Sequence, residues 1–404
     1  MKKAGLSSAE LIRLEEAHGA HNYHPLDVVI TRAEGVWVWD VEGRKYLDFL
    51  AAYSAVNQGH CHPRIVTALK EQSERVTLTS RAFRNDQLGP LCQEITSMTG
   101  FQRFLPMNSG AEAVETAIKA ARKWGHTVKG IAPDRGEILV FDGNFHGRTT
   151  TIVGFSTEEQ YRDGFGPFTP GFRILPYGDL AAVERAIDGE TIAILIEPMQ
   201  GESGIVSPPA GFLAAVRELA TKHRVLLIAD EIQSGLGRTG RLFCYEHEGV
   251  RPDIVVIGKA LGGGCVPISG ILADDEVMAV FKPGDHGSTF GGNPLACAVA
   301  RVALEVLVGE GMVENSARLG EYFLARLRAL HSPHVKELRG KGLWIGLELK
   351  PEAGGARRFC EALQREGLLC KETHVNTIRF APPLVITKDE IDWAMERIAR
   401  VLAT

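Results

Sequence analysis

A lysine follows the apolar run of a predicted strand in residues 253–264, DIVVIGKALGGG. An unpaired lysine is rarely fully buried, so Lys259 either extends to solvent from the strand end or acts chemically as a desolvated amine. For this stretch alone, a solvated lysine is the more common situation. A desolvated amine would be able to bond covalently to a carbonyl carbon.

Two further stretches place polar groups at predicted strand ends. Asp230 and Glu231 follow five apolar residues in VLLIADE, and Ser109, Gly110 and Ala111 follow the run RFLPM. Open α/β sheets bind ligands at the carboxyl ends of their strands. A glycine-bearing turn at a helix N-terminus suits a phosphate. A plain helix cap remains an alternative explanation for both stretches.

One cofactor accounts for all three features. Pyridoxal phosphate requires a lysine for its Schiff base, a carboxylate at its pyridinium nitrogen and a cradle for its phosphate. Lys259, Asp230 and the turn at 109–111 supply these groups from strand ends of one predicted sheet. Bonding to the cofactor also removes the difficulty of burying a lysine.

Two other motifs resemble a dinucleotide-binding site and a metal site, but the residues around them do not support either function. Residues 235–240, GLGRTG, match a dinucleotide-binding pattern, but no sustained helical pattern follows them. His60, Cys61 and His62 resemble a metal cluster, yet adjacent residues rarely chelate one ion and no further ligands stand nearby. We therefore expect no nicotinamide site, no metal site and a structural turn at residues 60–62.

The elements that position these residues form an α/β pattern. Short strands that are apolar on both faces alternate with helical segments between about residues 103 and 271, which predicts a large, mainly parallel sheet covered on both sides. The last hundred residues alternate differently and predict a smaller α+β domain. We expect an N-terminal segment (1–45) packed on the small domain, a large domain (46–295) and the small domain (296–404). Residues 34–49 predict a hairpin that joins the N-terminal segment to the large domain.

Composition narrows the functional classes. The 404-residue chain has a formal net charge of -5, which provides no basic surface for nucleic acid or for a membrane. Its seven cysteines are odd in number and lack CxxC spacing, so free thiols in a reducing compartment are expected. The N-terminus has no apolar core of signal length, and no run could span a bilayer. A cytoplasmic enzyme is the expectation.

A series of longer motifs resembles the class III aminotransferases, a family of fold-type-I pyridoxal phosphate enzymes. The resemblance covers nearly the whole chain. Its most specific parts are GAHNYHPL (19–26), DGFGPFTPGF (163–172), EPMQGESG (197–204), IADEIQSGLGRTG (228–240), GKALGGG (258–264), HGSTFGGNP (286–294) and IRFAPPL (378–384). The resemblance implies a ping-pong transaminase that binds pyridoxal 5'-phosphate.

The resemblance also implies roles for individual residues. Lys259 resembles the Schiff-base lysine and Asp230 the partner of the ring nitrogen. The implied cofactor-binding set is completed by Ser109, Gly110, Ala111, Phe145, Gln233, Ser288 and Thr289. The pair Ser288 and Thr289 resembles hydroxyls that reach the phosphate of a neighbouring subunit, which implies a homodimer. The implied substrate-binding set is Tyr23, Tyr53, Arg148, Glu202 and Arg379.

The expected substrates follow from the same resemblance. A small-molecule amino donor is expected to give its terminal amine to 2-oxoglutarate, and NYHPL with Tyr23 and Tyr53 favours the δ-amine of L-ornithine. Acetylornithine, 4-aminobutyrate and lysine remain alternatives within the class. A nicotinamide oxidoreductase and a catalytically silent binding protein are the alternatives outside it. His146 departs from the tryptophan expected at its position.

Overall fold

The computed structural model describes residues 5–403 of the chain. Its α-helices are α1 (Ser8–His18), α2 (Ala51–Ser54), α3 (Pro63–Ser73), α4 (Leu88–Thr99), α5 (Gly110–Trp124), α6 (Thr150–Gly154), α7 (Glu159–Arg162), α8 (Leu180–Ala186), α9 (Phe212–Lys222), α10 (Asp275–Met278), α11 (Pro294–Gly309), α12 (Met312–Arg328), α13 (Arg357–Arg365) and α14 (Lys388–Leu402). The strands are β1 (Ile30–Glu34), β2 (Trp37–Asp40), β3 (Lys45–Asp48), β4 (Arg103–Met107), β5 (Glu137–Phe141), β6 (Phe172–Leu175), β7 (Thr191–Ile196), β8 (Leu226–Asp230), β9 (Ile254–Ile257), β10 (Ser269–Ala273), β11 (Val335–Lys341), β12 (Trp344–Leu349), β13 (Leu368–Leu369), β14 (Lys371–Thr373) and β15 (Thr377–Phe380).

The central sheet has seven strands in the order β4-β10-β9-β8-β7-β5-β6. The pairs from β9 to β6 are parallel, and β10 is antiparallel to both of its neighbours. Every residue of β7, β8 and β9 is buried, as expected for strands covered by helices on both faces. The predicted, mainly parallel sheet is confirmed. The carboxyl ends of all its strands except β10 therefore lie at one edge.

Helix α5 begins at this edge, directly after β4. Ser109 is its N-cap, and the side chains of Ser109 and Glu112 form a reciprocal capping box. The buried face of the helix packs against the sheet through small and branched residues, including Ala113, Val114 and Ala117. Capping and burial together hold the first turn of α5 beside the strand ends.

Two four-stranded sheets lie outside the central one. The first has the order β1-β2-β3-β13, so β3 near the N-terminus pairs in parallel with β13 near the C-terminus. The second, β11-β12-β15-β14, is antiparallel. The predicted hairpin corresponds to β2 and β3. We propose domain boundaries near residues 45 and 295, because the central sheet uses only residues 103–273.

The GLGRTG stretch has a structural part in this arrangement. Arg238 is fully buried, and its guanidinium donates hydrogen bonds to the carbonyl oxygens of Leu343 and Pro382 and to Asn57 Oδ1. Burial lowers the pKa of Arg238 to about 9. The motif thus ties the segment after β8 to the C-terminal part of the chain, and no helix opens on its glycines.

Residues 60–62 form the turn that the sequence predicts. Cys61 has a positive φ of 53°, while His60 contacts Asp48 and His62 contacts Glu310. Within residues 5–403, no helix is long and apolar enough to cross a membrane.

Candidate active site

A cavity of about 200 Å³ opens at the carboxyl edge of the central sheet. Segments that follow β4, β5, β7, β8 and β9 supply its walls, as expected for an open α/β sheet. The lining residues are Gly110, Ala111, Phe145, His146, Gly147, Glu197, Met199, Asp230, Ile232, Gln233, Ser234 and Lys259. Six of the sequence-predicted site residues therefore meet in one place.

Lys259 begins a short 3-10 turn, Lys259–Gly262, directly after β9. Its φ of 44° is unusual for a residue with a side chain, and such strained backbone is concentrated at functional sites. Desolvation lowers the pKa of Lys259, and Arg379 acts in the same direction, against the charges of Glu202 and Asp230. A lysine with a lowered pKa is partly available as a neutral amine, which is the nucleophilic form.

Asp230 ends β8 with only 4% of its surface exposed. Its Oδ2 accepts a hydrogen bond from His146 Nδ1 at 2.6 Å, and its Oδ1 accepts one from the Ile232 backbone N–H at 3.1 Å. Burial alone would lower the pKa of His146, but the hydrogen bond and charge of Asp230 outweigh it and raise that pKa. A buried carboxylate is thus held in a fixed orientation beside the cavity.

The turn at residues 109–111 presents backbone donors. The Ser109 hydroxyl accepts from the Glu112 backbone N–H, and the Thr116 hydroxyl donates to the carbonyl oxygen of Glu112 within the helix. Gly110 and Ala111 occupy the first turn of α5, where backbone N–H groups have no intrahelical acceptor. These donors and the positive end of the helix dipole suit a phosphate.

A partly buried ion pair lies next to Gln233, one of the residues that line the cavity. Arg379 Nη1 lies 2.8 Å from Glu202 Oε1 and 3.3 Å from Gln233 Oε1, and only 1% of the arginine surface is exposed. Burial alone would raise the pKa of Glu202, yet Arg379 holds it below its usual value. The guanidinium also lies 4.7 Å from the ring centroid of Tyr53.

Tyr53 belongs to a strained segment. All four residues of α2 have positive φ values, 59° at Tyr53, although none is glycine. Such a run costs free energy that the surrounding packing must offset. Burial raises the pKa of Tyr53, so its phenol stays protonated and remains a hydrogen-bond donor.

The remaining predicted residues lie at the rim or beyond it. Arg148 is exposed, with its guanidinium carbon 3.7 Å from the ring centroid of Tyr161. Tyr23 is 78% exposed. Ser288 Oγ accepts a hydrogen bond from Asn108 Nδ2 of the same chain at 2.7 Å, and Thr289 is exposed.

Among the cavity and rim residues that were not predicted, three have titratable side chains. His146 stood out in the sequence only as a departure from the expected pattern, and nothing there linked it to Asp230. Glu197 follows β7, and its place at a strand end was a usable signal. It is buried, accepts the Phe145 backbone N–H at 2.8 Å, and has its pKa raised to about 7 by burial. Tyr161 lies on the short helix α7, and no periodicity marks it.

A family model described as "Aminotransferase class-III" matches residues 18–402. The chain belongs to the class III aminotransferases. This aminotransferase has the fold of the fold-type-I enzymes, and pyridoxal phosphate is its cofactor.

Individual relatives match this chain over nearly its whole length. The chain is 57% identical over 392 residues to an ornithine aminotransferase of Brevibacillus brevis, covering 97% of this chain and 98% of the relative. A solved ornithine aminotransferase of Toxoplasma gondii matches with a TM-score of 0.97 and 45% identity, covering 98% of this chain and 95% of that one. An acetylornithine aminotransferase of Elizabethkingia anophelis matches with a TM-score of 0.90 and 49% identity, over 98% and 99% of the two chains.

The residues of the cavity fit this cofactor. A desolvated lysine, a buried carboxylate and a helix N-terminus match its aldehyde carbon, its ring nitrogen and its phosphate. Gly147 permits the close packing of these parts, because a Cβ there would lie 2.9 Å from the Cβ of Ala111 and its φ is 135°.

Proposed function

We propose that this aminotransferase moves the δ-amino group of L-ornithine to 2-oxoglutarate, giving glutamate 5-semialdehyde, which cyclises to pyrroline-5-carboxylate, and L-glutamate. The observation that supports this most is the unequal state of two arginines at one cleft. Arg379 is paired with Glu202, whereas Arg148 at the rim has no carboxylate partner within residues 5–403. The site must first bind ornithine with its δ-amine at the reacting end, and later bind 2-oxoglutarate with its α-carboxylate there. It therefore needs one arginine that is paired while ornithine binds and a second arginine that is free to bind a carboxylate.

Lys259, Asp230 and the first turn of α5 would hold the cofactor. When bound, pyridoxal phosphate bonds to amines and accepts the electrons released when a proton leaves the adjacent carbon. Asp230, held by His146, would face the ring nitrogen and favour a proton there. Phe145 is proposed to cover one face of the ring and Gln233 to lie near its hydroxyl.

Lys259 is proposed to carry the proton transfers. When it is not bonded to the cofactor, its Nζ would act as a neutral base inside a desolvated site. Desolvation lowers the pKa of Lys259 toward the working pH, which allows the same nitrogen both to accept and to return a proton. The nearby carboxylates of Glu202 and Asp230 stabilise the protonated form between the two transfers.

Glu202 is proposed to act as a switch on Arg379. While the two are paired, Arg379 cannot attract the carboxylate of ornithine to the reacting end of the site. When 2-oxoglutarate enters, Glu202 releases Arg379, whose fork-shaped guanidinium can then hold the α-carboxylate through two parallel hydrogen bonds. Gln233 contacts both partners and can stabilise either arrangement.

Arg148 and Tyr23 are proposed to select which amine of ornithine reacts. Arg148 would clamp the α-carboxylate at the rim, far from Lys259. Tyr23 would fix the α-amino group through its phenol, and Tyr53 would line the path between the two ends. Tyr53 lies beside Arg379.

A panel of amino donors with 2-oxoglutarate tests the proposal, scored by product identity. L-Ornithine should give the highest kcat/KM, with pyrroline-5-carboxylate and glutamate formed in equal amounts. A higher kcat/KM for acetylornithine, 4-aminobutyrate or lysine would assign the enzyme to another ω-amine. Acetylornithine is the main alternative, because its α-nitrogen is acylated and would not need a hydrogen bond from Tyr23.

We also propose a homodimer in which Ser288 and Thr289 reach the phosphate site of the partner subunit. The loop is suited to a contact, because Thr289 and the neighbouring Phe290, 55% exposed, face outward. Mixing Lys259→Ala and Thr289→Ala protomers tests this arrangement, because a hybrid dimer regains one site without either substitution.

We also propose a cytoplasmic location. All seven cysteines are free thiols, which suits a reducing compartment.

A further inference from the structure

The guanidinium of Arg148 is held by aromatic rings. Its central carbon lies 3.7 Å from the ring centroid of Tyr161 and 5.5 Å from that of Phe145. The two rings are nearly perpendicular, with an interplanar angle of 76° and centroids 6.1 Å apart. Such contacts attract a cation to the ring faces without using up its hydrogen-bonding capacity in the way a carboxylate does.

This arrangement leaves the binding edge of Arg148 open. A guanidinium binds a carboxylate through N–H groups that point outward in its own plane. No carboxylate pairs with Arg148 in the described residues, in contrast to Arg379 with Glu202. Arg148 is exposed, so an unsupported side chain would sample many rotamers and lose entropy on binding a ligand.

Tyr161 is placed to supply that support. It lies on α7, is partly buried, and packs edge-to-face against Phe145, which lines the cofactor cavity. Burial raises the pKa of Tyr161, while the charge of Arg148 and a side-chain hydrogen bond with Arg148 oppose this. The tyrosine therefore contacts both the rim arginine and an aromatic ring of the cofactor cavity.

We infer that Tyr161 is a specificity-determining positioning residue, whose ring fixes the guanidinium of Arg148 in the orientation that receives the α-carboxylate of the amino donor. The inference rests on the proposed function in one respect, the role of Arg148 as the carboxylate clamp. Tyr161 itself needs no contact with the substrate, and its effect on catalysis passes through Arg148 alone.

The test compares three donors that differ by one group each. L-Ornithine has both α-groups, 5-aminopentanoate keeps the carboxylate and lacks the α-amine, and 1,4-diaminobutane keeps the amine and lacks the carboxylate. In Tyr161→Leu, KM should rise about three- to thirtyfold for the first two donors, the range expected for losing a cation–π contact, with kcat within about twofold. The affinity of 1,4-diaminobutane, read as KM or as an inhibition constant, should stay unchanged.

Two variants control for a general structural effect. Tyr161→Phe keeps the ring and should restore KM to near the wild-type value. Phe165→Leu removes an aromatic side chain that is 61% exposed and four residues further along, and it should leave all three donors unaffected. An equal rise in KM in Tyr161→Phe and Tyr161→Leu would overturn the inference, because the hydroxyl rather than the ring would then be responsible for the effect.

An equal rise for all three donors in Tyr161→Leu would also overturn it, since a carboxylate clamp cannot affect a donor that has no carboxylate. Failure of the proposed function is a separate result. In that case the wild-type enzyme would prefer another donor over ornithine, while the comparison of 5-aminopentanoate with 1,4-diaminobutane would still show whether Tyr161 acts through a carboxylate.

Discussion

The imidazole Nδ1 of His146 lies 2.6 Å from Oδ2 of Asp230, and both side chains are buried beneath the cofactor cavity. The contact orients the carboxylate, and the pKa of His146 is raised by it despite burial. His146 Nε2 has no hydrogen-bond partner in the described part of the chain, so Asp230 is the only hydrogen-bond partner of the ring there. Among side chains, His146 alone donates to the carboxylate that would face the ring nitrogen, and the Ile232 backbone N–H holds its other oxygen.

Replacing His146 by leucine should weaken cofactor retention and stability together. The variant leaves a buried carboxylate without its charged partner, which typically costs about 3–5 kcal/mol of unfolding free energy. Bound cofactor after gel filtration, read from its visible absorbance, should fall well below the wild-type level. His126→Leu is the control, because it removes a half-buried imidazole bonded to the carbonyl oxygen of Ile131, outside the cavity lining. Equal cofactor retention in the two variants would contradict the role of His146.

Replacing Glu202 by alanine should change the two half-reactions in opposite senses. Arg379 would lose its masking partner, so the half-reaction with glutamate should become faster relative to the half-reaction with ornithine, by roughly tenfold if one charge-assisted contact of about 1.5 kcal/mol is involved. Stopped-flow measurement of each half-reaction gives the ratio. Glu158→Ala removes a partly exposed carboxylate near His374 and should leave the ratio unchanged. If Glu202→Ala changes the rates of both half-reactions by the same factor, the proposed role of Glu202 as a switch is wrong.

The strand-end residues could be predicted from sequence, whereas their lateral contacts could not. Lys259 and Asp230 follow apolar runs that identify them as strand ends, and parallel strands bring such ends to one edge. The resemblance supplied Glu202 and Arg379, which are 177 residues apart and meet in the structure as an ion pair. No local pattern links His146 to Asp230, 84 residues further on, because their contact depends on the register of β8 against its neighbours.

The rim of the site was the least predictable part. Tyr23 was expected to bind substrate, yet in the single chain it is 78% exposed, because the segment before β1 lies on the surface. Ser288 was expected to serve a neighbouring subunit, and it bonds to Asn108 of its own chain. The stacking of Arg148 on Tyr161 follows from the packing of α7, a four-residue helix that propensity alone does not specify.

Glu231 should make the enzyme less stable as pH rises toward neutrality. It is buried next to Asp230, and burial raises the pKa of Glu231 to about 7 from the ordinary 4.5, although Ser234 and the Tyr245 backbone N–H donate to it. A raised carboxyl pKa means that the folded state binds the proton more tightly. The contribution of Glu231 to the free energy of unfolding is therefore fully present below about pH 4.5. It decreases between pH 4.5 and pH 7, by at most about 3 kcal/mol.

Unfolding by urea across this pH range measures that contribution. Glu231→Gln keeps a group that can accept from the Tyr245 backbone N–H and bond to Ser234, but it does not titrate. The variant should therefore lose less stability than the wild-type enzyme between pH 4.5 and pH 7. Glu218→Gln, at an exposed position on α9, is the control and should give a curve parallel to that of the wild type. Parallel stability curves for wild type and Glu231→Gln would show that Glu231 does not titrate in this range.

Reduction with borohydride followed by peptide mass mapping tests the central assignment most directly. In the wild-type enzyme loaded with pyridoxal phosphate, the reduced cofactor should be found on Lys259 and turnover of ornithine should cease. Lys259→Ala should fold, because alanine at the end of β9 leaves no buried charge behind, but it should show neither the covalent adduct nor turnover. A cofactor adduct on another lysine, or near wild-type ornithine turnover by Lys259→Ala, would contradict the account.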